Sequence, residues 1–188
     1  MRPSWSDIRA LLLTWATARS GIDTAGGARW ADEPLEVAHG PTVELSVLGT
    51  VRRGTDETVY DDDDDVVVPT TGGHRELVLQ VAIDSDDQTL DASSVAIAER
   101  FATLATGPVS LAQLESVGLG LLSVGDAVTY SVRDAGGRAH PRSVLEVRLS
   151  FVSAVEDDAI PFIESAHATG TVTRPGATAI TVPVAVTS

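Results

Sequence analysis

Five consecutive aspartates, Asp61, Asp62, Asp63, Asp64 and Asp65, follow Tyr60 and run into Val66, Val67 and Val68. With Asp56 and Glu57 they make seven of the ten residues 56–65 acidic. Carboxylates at this density could chelate a hard cation or work as an acid–base pair. A helix–loop–helix calcium site needs alternating oxygen ligands, a glycine at position 6 and a glutamate at position 12. Counting from Asp61 puts Val66 and Gly72 at those places. An extended chain also sends successive side chains to opposite sides, so five in a row do not converge on one ion. Weak surface binding of divalent cations is the most the run allows. A catalytic carboxylate needs burial or a placed neighbour to tune its pKa. Adjacent solvated aspartates supply only mutual repulsion, and the run reads as an exposed acidic loop.

Other chemistries find little footing. There is no cysteine, which excludes disulfides and thiolate metal sites. No G-x-S-x-G elbow is present, and "GLGLLSVGD" holds its serine in the wrong place. The same stretch has Ser123 where a dinucleotide loop needs its third glycine, and a chain without lysine cannot build a phosphate loop of the G-K-[ST] type. His39, His74, His140 and His167 lie in separate segments with no H-E-x-x-H pairing. "VEDDAIP", residues 155–161, is a second acidic turn. No catalytic, cofactor-binding or metal-ligating residue is assigned, and the expectation is a protein that is not an enzyme and carries no cofactor. A hydrolase or metal-dependent enzyme whose site assembles only in three dimensions stays open as an alternative.

The charge balance points the same way. Twenty-seven acidic residues against 13 basic ones give a net charge of −14. That excess opposes nonspecific nucleic-acid binding, which needs cations to displace counterions, and docking on an anionic membrane. All the basic residues are arginine, and asparagine is absent as well; codon bias in a GC-rich bacterial or phage genome accounts for both. The 188 residues, 43% hydrophobic, suffice for one compact core. No apolar run approaches the roughly 20 residues that span a bilayer. The opening residues lack the apolar centre and cleavage site of a signal peptide, so a cytoplasm-like compartment is expected.

The elements around the acidic run follow from periodicity. Ser4 and Asp7 have capping-box spacing, and Ile8, Leu11, Leu12 and Trp15 form one apolar face of a helix that Gly21 stops. Residues 22–41 read as irregular, with Trp30 pinning them to the domain. Val43, Leu45, Val47 and Val51 alternate with polar residues, as do Leu77, Leu79, Val81 and Ile83, which places the acidic run between two strands. Val66–Val68 reads as the return of a long hairpin arm, cut short by Pro69 and Gly72–Gly73. Asp91 is the expected N-cap of a helix to about Thr106. Ser110 and Gln113 are the expected capping box of a short one that ends near Gly118. Strands follow at Val128–Val132 and Leu145–Phe151. Ile180, Val182, Val184 and Val186 share one face of a tail that Pro183 confines to a sheet edge or an arm. The expected fold is α+β: one domain over residues 1–174, a mainly antiparallel sheet with helices on one face, and a C-terminal strand or arm over 175–188.

Four stretches, in order, resemble the phage neck and tail terminator proteins. They are "LLLTWATARSGI", "ARWADEPLEVAHGPTVELSVLG", "HRELVLQVAIDS" and "RSVLEVRLSFVSAVEDDAIPFIESAHATGTVT", together spanning most of residues 8–173. The last is the most specific, a long alternating strand, an acidic turn, then "IES" and "ATGTVT". The aspartate run and the tail after Arg174 have no counterpart in the likeness. The resemblance implies a virion protein assembled in the bacterial cytoplasm. It would form a hexameric ring that ends the tail tube, joins it to the head-tail connector or neck protein, and lets DNA through without specific binding. It transfers no catalytic residue. In such a ring Asp56, Glu57 and Asp61–Asp65 are candidates for an acidic lumen or rim. Ile180, Val182, Val184 and Val186 are candidates for subunit contacts. Another connector or tail completion subunit is the neighbouring alternative.

Overall fold

The computed structural model describes residues 4–22, 27–33, 40–63, 66–87, 89, 91–133, 137–156, 160–161, 165–172 and 180–187. Side chains are described outside 61–68 and up to residue 154. The chain is α+β and forms two compact units: residues 1–56 with 73–153, and residues 57–72 with 154–188.

The first unit opens with helix α1, Trp5–Ser20. The Ser4 hydroxyl accepts from the Asp7 amide at 3.2 Å, and the Asp7 carboxylate accepts from the Ser4 amide at 2.9 Å. This is the expected capping box, and Gly21 at φ 70° ends the helix where a side chain would be strained. Next come β1, Ala28–Trp30, and β2, Thr42–Asp63. Strand β1 falls inside the stretch read as irregular. It pairs parallel with β2 over Val43–Leu45, and Trp30, 3% exposed, does pin the segment. Strand β3, Val66–Asp84, then runs through Pro69, Gly72 and Gly73 without interruption. The expected break there does not occur, and Asp61–Asp63 belong to β2 rather than to a loop.

Helices α2, Ser94–Ala105, and α3, Pro108–Glu115, follow. Ser93, not Asp91, caps α2, its hydroxyl accepting from the Ala96 amide. Helix α3 starts earlier than the Ser110–Gln113 spacing predicts, because Pro108 at the first helical position fixes a helical φ and needs no N–H partner. Strands β4, Gly120–Val124, β5, Val128–Arg133, and β6, Ala139–Glu156, complete this unit. The sheet order is β1-β2-β3-β6, with β4 and β5 both pairing antiparallel with β6 at successive positions along it. Contacts Ser46–Gln80, Arg53–Glu76 and Asp56–Arg75 descend one strand as they climb the other, so β2 and β3 are antiparallel. Between Ser46 and Arg53, β2 spends more residues than β3 does between Gln80 and Glu76. The strand is bulged there, which flips the face on which later residues emerge; Gly54, at φ 75°, lies just beyond.

All three helices cover one face. Leu12, Trp15, Ile97, Phe101 and Leu114 pack with Val43, Leu45, Leu79, Ile83, Leu145 and Leu149, all essentially inaccessible. The period-2 strand pattern buries every second residue against the helices. Trp15 and Phe101 meet edge to face, centroids 5.0 Å apart at 82°. The indole N–H of Trp15 donates to Ser110 Oγ at 2.5 Å. Ser110 is therefore a buried acceptor inside α3, not its cap.

In the second unit the far ends of β2 and β3 continue, with the Thr58 and Thr71 hydroxyls 2.9 Å apart. Strand β7, Ile160–Pro161, pairs antiparallel with β3 at Val66 and Val67. Strands β8, Ser165–Val172, and β9, Ile180–Thr187, form a separate two-stranded antiparallel sheet. Residues 175–188 share this unit with 154–174.

Candidate functional site

The helix-free face of the first unit's sheet carries the densest chemistry among the described residues. Alternation that sends Leu77, Leu79 and Val81 to the core sends Glu76, Gln80 and Asp84 the other way. Glu76 is only 1% exposed although no helix covers it. Two arginines roof it: Arg53 Nε donates at 2.6 Å and Arg148 at 2.9 Å, while Arg148 also holds Glu146 at 2.7 Å. The guanidinium of Arg53, with help from Arg148, holds the Glu76 carboxyl below its usual range. Arg148 is pushed up, chiefly by its bond to Glu146.

A second chain of charges runs beside it. Glu44 pairs with Arg29 and accepts from Arg142 at 2.8 Å. Arg142 also lies 3.5 Å from Asp84, which is 3.4 Å from His140 Nε2. Arg142 on β6 reaches Glu44 across β3. Stepping two residues from the Ser46–Gln80 contact brings Glu44 level with Ala82, whose methyl group leaves room for that crossing. A third set, which shares the alternation of Leu77 and Leu79 and so emerges on the other face, is Asp56 with Arg75 at 2.7 Å and Arg52 at 3.2 Å. The Arg75 hydrogen bond, before the charge of Arg52, lowers the Asp56 carboxyl. Gly73 leaves room for this pair, since a β-carbon there would displace the Asp56 carboxylate.

This arrangement is a lattice of matched charge. A buried ion pair is costly to desolvate and costly to break, so it specifies a geometry more than it stabilises one. Glu76 sits low and the guanidinium groups sit above it, with Arg53 59% and Arg148 44% exposed. At Glu76 the groups presented to solvent are therefore cationic, with Glu146, 41% exposed, beside Arg148. Within the lattice the Asp84 Oδ1 is buried without a hydrogen-bond partner, with His140 Nε2 3.4 Å away.

The expected residues distribute as follows. Asp56 lies in the third set, with its charge already matched by Arg75 and Arg52. Glu57 is exposed on β2. Asp61, Asp62 and Asp63 end β2, with their side chains outside the described residues, and Asp64 and Asp65 fall wholly outside them. Ile180, Val182, Val184 and Val186 lie on β9 and pair in register with Val172, Gly170, Ala168 and Ala166 of β8. Among the described residues no three His, Asp or Glu side chains gather as a metal site. His74 is exposed on β3, and His39 falls outside the described residues. The lattice arginines and Glu76 were missed. Their signal was present in the outward alternation of Glu146, Arg148 and Ser150, but nothing local says which charges on separate strands will meet.

Two grooves mark the sheet's margins. One, about 550 Å³, is lined by Asp86, Thr129, Tyr130, Ser131, His140 and Pro141 beside β5. The other, about 310 Å³, is lined by Trp5, Arg9, Trp30, Asp32, Leu45 and Val47 beside β1. Arg9 stacks on Trp30 at 4.5 Å and forms a two-pronged bond with Asp32 at 2.7 and 2.8 Å. Among the described residues no helix is long and apolar enough to cross a membrane. The sequence matches no protein-family model and no curated protein.

Proposed function

We propose that this chain is a structural, non-enzymatic subunit of a phage tail or neck. In this reading it forms a ring, hexameric by resemblance, that closes the tail tube, meets the connector or neck protein, and lets DNA through its centre. The observation that carries the reading is the β2–β3 hairpin. The two longest strands flank the acidic run, so the densest negative charge in the chain lies where β2 ends and β3 begins. Unmatched carboxylates offer DNA phosphates no counter-charge, so an acidic arm at a lumen lets the polymer slide rather than stick. Within the candidate set Asp56 is set aside, because its charge is matched by its arginines, and the role is proposed for Glu57 and Asp61–Asp65 from their place in the sequence.

The direct test is mass photometry and negative-stain imaging of the purified chain, alone and with tail tubes. A ring seated at one end of the tube is the expected result. A strict monomer that ignores tubes refutes the reading. Metal analysis and a hydrolase screen test the competing enzyme class, and a stoichiometric metal or turnover would reverse the ranking.

A further inference from the structure

The sheet of the first unit is open at both margins. On one side β1 pairs with β2 only as far as Leu45, and among the described residues no strand pairs with that edge of β2 beyond it. On the other side, among the described residues, β5 pairs only with β6. An unpaired edge is a row of free N–H and C=O groups, and proteins commonly blunt it with proline, lysine or a covering element. Here neither Val47–Arg53 nor Val128–Arg133 contains a proline or a lysine. Both expose apolar side chains instead: Leu48 is 55% and Val128 64% exposed, with Val51 and Tyr130 close behind.

The two margins also differ in charge. The β2 margin carries Arg52 and Arg53, more than half exposed although each also pairs within its own chain, with Asp56 and Glu76. The β5 margin carries Asp126, two residues before the strand, and Asp86 in the adjoining groove. Among the described residues neither aspartate forms an ion pair, so both are free to meet an incoming cation.

We infer that the β2 edge of one copy adds to the β5 edge of the next, joining the sheets of neighbouring subunits head to tail. The occupant of each edge is thus a second copy of this chain. One molecule supplies both halves of the contact, and the halves are different surfaces. A contact of that kind closes into a ring when the rotation per subunit allows, and does not stop at a two-fold dimer. Backbone pairing supplies the register, Leu48 and Val51 meeting Val128 and Tyr130 supply apolar burial, and Arg52 and Arg53 facing Asp86 and Asp126 set the orientation. This rests on the ring reading above and goes beyond it by naming the interface.

The test uses the full chain and two variants, Leu48→Glu and Tyr130→Glu, each blocking one edge with a carboxylate at an exposed position. Each variant alone is expected to fall apart, its assembly midpoint raised on the order of a hundredfold, as for a central contact residue. Mixed in equal amounts they retain one intact pairing and form dimers that grow no further. In the wild type, amide exchange at 47–53 and 128–133 slows as concentration rises. If the wild type forms rings that both variants still form, this interface is wrong and the ring reading stands. If either variant alone gives a stable two-fold dimer, the head-to-tail arrangement is wrong. A wild type that stays monomeric with no concentration-dependent protection overturns both. Far-UV circular dichroism checks the fold. Where a glutamate variant unfolds, Leu48→Thr or Tyr130→Thr replaces it, and the wild-type exchange data decide independently.

Discussion

The two faces of one sheet solve burial in opposite ways. On the helix side, Leu12, Trp15, Phe101 and Leu149 exclude water by shape, and the buried polar contacts are neutral hydrogen bonds such as Trp15 to Ser110 and Ser143 to Ser94. On the bare side, Glu76 is equally hidden, but its lid is two arginine side chains whose own outer surfaces stay wet. The first face gains free energy by removing apolar area from water. The second gains little net energy and fixes which strands lie together. Folding strength should therefore reside in the helix face and strand register in the charged face.

The sharpest way to break that division is Trp15→Ala. It removes the largest buried side chain, the edge-to-face partner of Phe101 and the donor to Ser110. A loss of about 3–5 kcal/mol is expected for such a core truncation, read by denaturant unfolding. Next comes the pair Arg53→Ala and Arg148→Ala together, which leaves the Glu76 carboxylate uncovered. The melting temperature should drop by several degrees, less than for Trp15→Ala. The triple change Arg53→Met, Glu76→Leu and Arg148→Met should recover most of that drop, since an apolar set avoids the desolvation cost. Failure to recover would show that the ion pairs stabilise the fold outright.

Acid sharpens the comparison further. Glu76 and Asp56 are held below their ordinary values in the folded state. The unfolded chain therefore takes up protons first, and the stability these groups contribute is full above about pH 4–5 and lost as pH falls through their folded values. Wild type should thus melt progressively lower as acidity increases below that range, and Glu76→Gln should show a shallower slope. A parallel slope in the variant would remove Glu76 from the account. The smallest effect is expected for Asp56→Asn, on a pair nearer the solvent, with a change in melting temperature close to the error of the measurement.

The same contrast explains what the sequence made legible. The apolar face was readable because its information is local. Ser4 and Asp7 sit three residues apart, Leu77 to Ile83 alternate, and each pattern predicts its element without knowing the partner. Strand β1 was not readable, because three residues become a strand only when Val43–Leu45 lies beside them. The start of α3 was misplaced because Ser110 has a cap's spacing, while its hydroxyl serves Trp15, 95 residues away in sequence. Alternation through Val47 and Val51 predicted continued burial, yet the core ends at Leu45, where β1 stops and β2 bulges. The charged lattice was least visible. Glu44 and Arg142 are 98 residues apart, and no periodicity announces that they will touch.

The three tryptophans turn these differences into built-in optical reporters. Trp15 is sealed, Trp30 lies beneath a guanidinium, and Trp5 is half open to water in the groove that leads to the β2 edge. Their emission should span blue to red in that order. Loss of the blue component marks collapse of the core, whereas a change confined to the red component marks events at the sheet margin. Replacing Trp5 with phenylalanine would give a chain whose fluorescence follows the interior alone, so opening and docking could be timed separately in one unlabelled protein.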